Sequence, residues 1–158
     1  MRYQDQIVRS TQKGLEDIVR SAQAVPQDKI DWVPMGAVRS VLNQMQEIAV
    51  SGAWFVPLIS EMRVPEFDAH AMEEAKRLRL SHDTLEKCIS AARTTTSELC
   101  TVIESVPDQA LETELVLPFG GGMTATIADI LAMHLWNLTY HLGQINQIQL
   151  MLGDRAMH

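Results

Sequence analysis

No Asp, Glu, Lys or Arg stands between Ile130 and Gly153. That is longer than the ~20 residues that cross a bilayer, so a transmembrane helix is the first reading to test. The run also carries His134, Asn137, His141, Gln144, Asn146, Gln147 and Gln149. Polar groups at that density are too costly in lipid. The stretch is therefore expected to be a helix buried in protein. Ile127, Leu131, His134, Leu138, His141, Ile145, Ile148 and Leu152 alternate by four and three. That is the seam of a helix packed in a left-handed bundle. A chain holding one such helix must supply others to cover it.

The rest of the sequence supplies them. Ile7, Val8, Leu15, Ile18, Val19 and Ala22 recur at helical spacing over about 3–24, and Pro26 stops the run. A connector holding Ile30, Trp32, Pro34 and Gly36 follows. The second helix is expected over about 37–59, on a stripe of Val41, Met45, Ile48 and Gly52, with Pro57 kinking or ending it. After a linker over 63–68, a short helix is expected at about 69–80. The third main helix is expected from about 82 to 105, with Ser81, His82 and Asp83 as its cap. Glu114 to Leu117 reads as a short extended segment, and Phe119 to Gly122 as a flexible loop. No Lys-Ser/Thr follows these glycines, so they do not form a phosphate cradle. The last helix begins near Thr124 or Thr126, with Asp129 in its first turn, and Gly153 ends it. The expected fold is an all-α four-helix bundle with a short extra helix or loop between helices 2 and 3, residues 1–158 forming one domain.

Composition excludes several functions. With 13 Lys and Arg against 20 Asp and Glu, the net charge is −7. Nucleic acid and anionic membrane both require a basic patch and are not expected partners. The N-terminus has no apolar signal core, and Cys88 and Cys100 cannot build a disulfide framework, so the expected location is the cytoplasm. Cys88 shares a face with Leu85, Ile89 and Ala92 and reads as a small core residue. Met45, Met123, Met133 and Met151 read as gap-fillers near apolar stripes. Of five histidines, His158 is terminal, and His70 and His82 lie among charged residues and read as solvated. His134 and His141 lie in the apolar seam. Seven residues rise ~10.5 Å, so the two cannot easily share one ion. Asn137 and Gln144 form a polar edge with His141.

Trp136-Asn137 and the string Tyr140-His141-Leu142-Gly143-Gln144-Ile145-Asn146 resemble the closing helix of the DinB/YfiT-like superfamily. Trp32-Val33-Pro34 followed by Ser40 resembles that family's entrance to its second helix. The resemblance implies a DinB-like four-helix bundle, often a homodimer. It also implies three His that bind nickel, zinc or iron, and chemistry of the hydrolase or thiol-transferase kind. Two of those three positions differ here. His141 matches the last ligand, Asn137 stands at the first position of the His pair, and Glu47 stands seven after Ser40.

The resemblance thus implies a site of Glu47, Asn137 and His141 that holds one divalent metal or none. It lies beside a small-molecule pocket between helices 2 and 4, lined by Gln44, His134 and Gln144. A low-molecular-weight thiol is a candidate ligand. The alternatives are a non-catalytic homodimeric binding or scaffold module with a degenerate site, and a metal-free acid/base pair of Glu47 and His141. By helical geometry Glu47 lies roughly 120° from the centre of the apolar stripe. It is therefore expected on the flank of the bundle, on the same face as Trp54.

Overall fold

The computed structural model describes residues 1–65, 68–118 and 121–158. Glu66 and Phe67 of the linker, and Phe119 and Gly120 of the glycine loop, lie outside the described residues. Five α-helices and one hairpin are present among those described: α1 Tyr3–Ala24, α2 Val41–Ser60, α3 Ala69–Ser81, α4 Leu85–Ser105, β1 Glu114–Leu117, β2 Met123–Thr126 and α5 Ile127–Met151.

Caps explain the boundaries. The Ser40 hydroxyl accepts the Asn43 amide at 3.1 Å, so α2 starts after residues 37–39, which were expected to be helical. Pro57 does not end α2. The helix continues for the rest of a turn, and the Glu61 amide donates to the Pro57 carbonyl. Asp68 caps α3, and Thr84 caps α4 in place of the expected residues 81–83. Ser81 is instead the last residue of α3. At α5, Thr126 and Asp129 bond each other's backbone in a capping box. Its far end closes through Gly153 at φ +90, with the Asp154 amide on the Gln149 carbonyl and the Gly153 amide on the Leu150 carbonyl.

The four long helices pack in the ring order α1–α4–α2–α5. The consecutive helices α1 and α2 therefore sit diagonally, and so do α4 and α5. Every seam residue of α5 from Ile127 to Ile148 is buried. Ile18, Met45, Ile48, Leu99, Ile103 and Leu138 fill the interior. Each contributes ~1.5–3 kcal/mol on the transfer scale. Gly52 permits the close approach of α2 to α4, because a Cβ there would lie 2.9 Å from the Thr95 backbone. The hairpin pairs β1 with β2 antiparallel and buries Leu117 and Ala125 against one end of the bundle. The strand β2 had no counterpart in the sequence reading.

Helix α3 differs from the rest. It packs chiefly on α2 and has no buried residue. Of the methionines read as gap-fillers, Met45 is buried and Met133 is partly buried, while Met123 and Met151 are exposed. Burial pushes the Cys88 thiol up to about 11, which leaves it protonated and inert. Among the described residues, no helix is long and apolar enough to cross a membrane.

Candidate functional site

The α5 seam delivers two imidazoles to α2 at different depths. His134 crosses the interior. Its Nε2 lies 2.9 Å from Thr96 Oγ1 on the diagonal helix α4, and its Nδ1 lies 3.3 Å from Ser51 Oγ on α2. The Thr96 hydroxyl has no other acceptor among the described residues, so it donates to Nε2. Nδ1–H then donates to Ser51 Oγ, and the Ser51 hydroxyl proton goes to the Ile48 carbonyl at 3.3 Å. Every polar atom of this chain is satisfied with a neutral ring. Burial pushes His134 down to about 4, which keeps it neutral.

His141 lies two turns further along and meets charge. Its Nδ1 is 3.1 Å from Gln44 Oε1, and its Nε2 is 3.2 Å from Glu47 Oε1. The Gln44 amide is oriented by its own donation to the Arg39 carbonyl at 3.2 Å. Its oxygen therefore faces the ring, and Nδ1 must carry a hydrogen. Nε2 then faces an acceptor-only carboxylate, and the contact is attractive with a proton between them. The other Glu47 oxygen takes the Arg39 guanidinium at 2.5 Å. The His141 hydrogen bond, helped by Arg39, holds the Glu47 carboxyl at about 2 against the opposing effect of burial. Glu47 sits on the flank of α2 as its helical position requires, with 34% of its side chain exposed. His141, 1% exposed, reaches it from the seam.

A groove of about 820 Å³ opens on that flank, within the range of small-molecule sites. From α2 it takes Glu47, Val50, Ser51, Ala53, Trp54 and Phe55. Ala75 and Leu78 of α3, Met123 of β2, and Met133, Trp136 and Asn137 of α5 complete it. Glu47, Ser51 and Asn137 are its polar side chains besides the indole N–H groups of Trp54 and Trp136. The Asn137 amide has no hydrogen-bond partner among the described residues. Trp136 stacks on Tyr140 at 5.5 Å, and both are exposed on the outer face of α5.

The structure thus places His141 on Glu47, and Asn137 on the same groove wall as Glu47. Gln44 and His134 lie in the interior behind that wall, bonded to imidazole and hydroxyl respectively. Gln144, half-buried one turn beyond His141, is not among the groove's lining residues. Arg39 and the roof residues of α3 were absent from the sequence reading. Arg39 lies two turns before Glu47, and that spacing was the available signal.

These donors do not fit the metal that the resemblance implies. Among the described residues no three or more His, Cys, Asp or Glu form a metal-holding group. The third position is a carboxamide, a weak ligand for a transition metal. The carboxylate is already paired with a guanidinium, whose charge opposes a divalent cation. A proton between Nε2 and Glu47 satisfies both groups, and the donor set calls for nothing more.

The sequence profile described as the DinB superfamily matches residues 10–145. A comparison with curated protein sequences gives no match. Among solved structures, the chain superposes on YfiT from Bacillus subtilis with a TM-score of 0.75 at 12% identity, covering 95% of this chain and 87% of that one. YfiT is described as a probable metal-dependent hydrolase with an unusual four-helix bundle topology. A mycothiol-dependent maleylpyruvate isomerase superposes at 0.70 with 10% identity, covering 92% of this chain and 61% of that one. The colibactin self-resistance protein ClbS, solved with double-stranded DNA, superposes at 0.66 with 10% identity, covering 92% and 94%. At such identities these likenesses concern the fold.

Proposed function

This chain belongs to the DinB superfamily, and on that premise we propose that it binds a largely apolar small molecule in the groove between α2, α3 and α5. Glu47 and Asn137 meet the ligand's polar end, and His141 and Glu47 act as a proton-sharing couple that needs no metal. One observation carries the reading. In a largely apolar groove, Glu47 is ionised and bonded to His141 Nε2 at 3.2 Å, while Gln44 fixes the other ring nitrogen. Both nitrogens of the buried ring are committed, so the member of the couple that meets a ligand is Glu47, with His141 positioning it from behind. The His141 hydrogen bond and the Arg39 guanidinium together keep the carboxylate charged. A thiol whose S–H donates to the Glu47 carboxylate is one ligand of this kind.

The test is a titration with N-phenylnaphthylamine, whose fluorescence rises in apolar surroundings. The expected result is one saturable site with energy transfer from tryptophan. Leu78→Glu and Trp136→Ala each weaken binding while helical circular dichroism stays unchanged. Both positions are largely exposed, so neither change threatens the core. Unaltered binding in both variants would sink the reading.

A further inference from the structure

The polar corner of the groove holds more acceptors than donors. Glu47 is an ionised carboxylate and can only accept hydrogen bonds. Ser51 borders the groove, but its hydroxyl proton is committed to the Ile48 carbonyl and one lone pair takes the His134 Nδ1–H, so towards a ligand its oxygen is an acceptor. Asn137 supplies one further acceptor and the corner's uncommitted donor. Val50, Phe55, Leu78 and Met133 line the remainder with carbon, and Trp54 and Trp136 add indole rings. A ligand head that only accepts could bond the Asn137 amide but would leave Glu47 and Ser51 without a donor. A head that donates would meet a carboxylate and a hydroxyl oxygen.

From this, and resting on the groove reading above, we propose that the ligand class is an apolar aromatic or aliphatic molecule with a single hydrogen-bond-donating head, a hydroxyl or an amine, lodged between Glu47 and Ser51. The two heads share the chemistry that the corner recognises. A fatty carboxylate is disfavoured by the Glu47 charge, and an ether forms no bond to Glu47 or Ser51. A thiol is the weakest donor of the group. The apolar body lies along the tryptophan walls under α3.

Competition against bound N-phenylnaphthylamine tests this with four probes of equal chain length: decanol, decylammonium, decyl methyl ether and decanoate. One hydrogen bond to a charged acceptor corresponds to about tenfold in affinity. Decanol and decylammonium are expected to compete about tenfold more tightly than the ether, and decanoate least. Their relative order assigns the head as hydroxyl or amine. In Glu47→Met the advantage of the donor heads shrinks while the ether's affinity is kept, which reports that the groove is still formed. Equal competition by all four probes, or decanoate the tightest, overturns the donor-head inference alone. No competition by any probe, with N-phenylnaphthylamine itself failing to bind, overturns the groove reading as well.

Discussion

His134 and His141 stand one heptad apart on the same seam of one helix, and each is 1% exposed. Periodicity makes them equivalent, but their partners do not. His134 finds two hydroxyls, Thr96 on the diagonal helix α4 and Ser51 on the adjacent helix α2. His141 reaches the adjacent helix and finds an amide and a carboxylate. Hydroxyls can give or take a proton, so they accommodate a neutral ring, and burial then keeps it neutral. A carboxylate beside an imidazole calls for a proton between them. Burial of a histidine therefore says little about chemistry. The charge of what it touches, and whether that partner borders a cavity, says more.

The largest blow to this contrast is His134→Ala. It opens a central cavity and strips Thr96 and Ser51 of their shared partner, so a loss of about 3 kcal/mol is expected from urea unfolding. Probe affinity should change little by comparison. If instead stability holds and binding collapses, the roles of the two histidines are reversed.

Acid comes next. His134 is pushed down to about 4 in the fold from 6.5 in the unfolded chain, so the unfolded state takes up the proton first. Its stabilising share is full above 6.5 and fades as pH falls from there towards 4. The expected loss is about 2 kcal/mol between about pH 7 and about pH 5. Glu47 has the same sign in a lower window. Its share is present above 4.5 and is lost as pH falls towards 2. Urea midpoints at several pH values should show the upper step vanish in His134→Gln and persist in Glu47→Gln.

His141→Ala is milder. It leaves Gln44 Oε1 without its donor and Glu47 with Arg39 alone, a loss of about 1–2 kcal/mol. Glu47 loses its strongest stabilising contact, so the lower acid window should move up in pH. Probe competition would then discriminate less between heads. The smallest effect expected is from metal. Zinc or nickel at modest excess should raise the melting temperature little, and elemental analysis of purified protein should find no stoichiometric ion. A tightly held ion lost in His141→Ala would overturn the metal-free account.

The backbone plan was largely legible before the structure. The α5 seam, its Thr126–Asp129 start and its Gly153 stop are local patterns, and each is where the periodicity and capping chemistry put it. Helix starts on α2 and α4 were misplaced because several residues near each could cap. Which one does depends on where the connector is tied down. The flank position of Glu47 followed from helical geometry, but its meeting with His141 did not. That contact depends on the ring order that makes α2 the neighbour of α5. Ser51 and Thr96 were invisible as partners for the same reason, whereas Arg39 was overlooked eight residues before Glu47 in the same segment, and β2 was missed because its four residues alternate weakly. Its pairing comes from β1 across the loop.

Helix α3 sets a different kind of limit. Thirteen residues without a buried side chain, held chiefly on one neighbour, form a helix of marginal stability in water. Such a segment opens far more often than the bundle unfolds. Because Ala75 and Leu78 belong to the groove, ligand exchange need not wait for global unfolding. Residence time is then governed by the fraying of a single helix, and affinity and dissociation rate can be tuned separately: one through the Glu47 corner, the other through the helical propensity of residues 69–81.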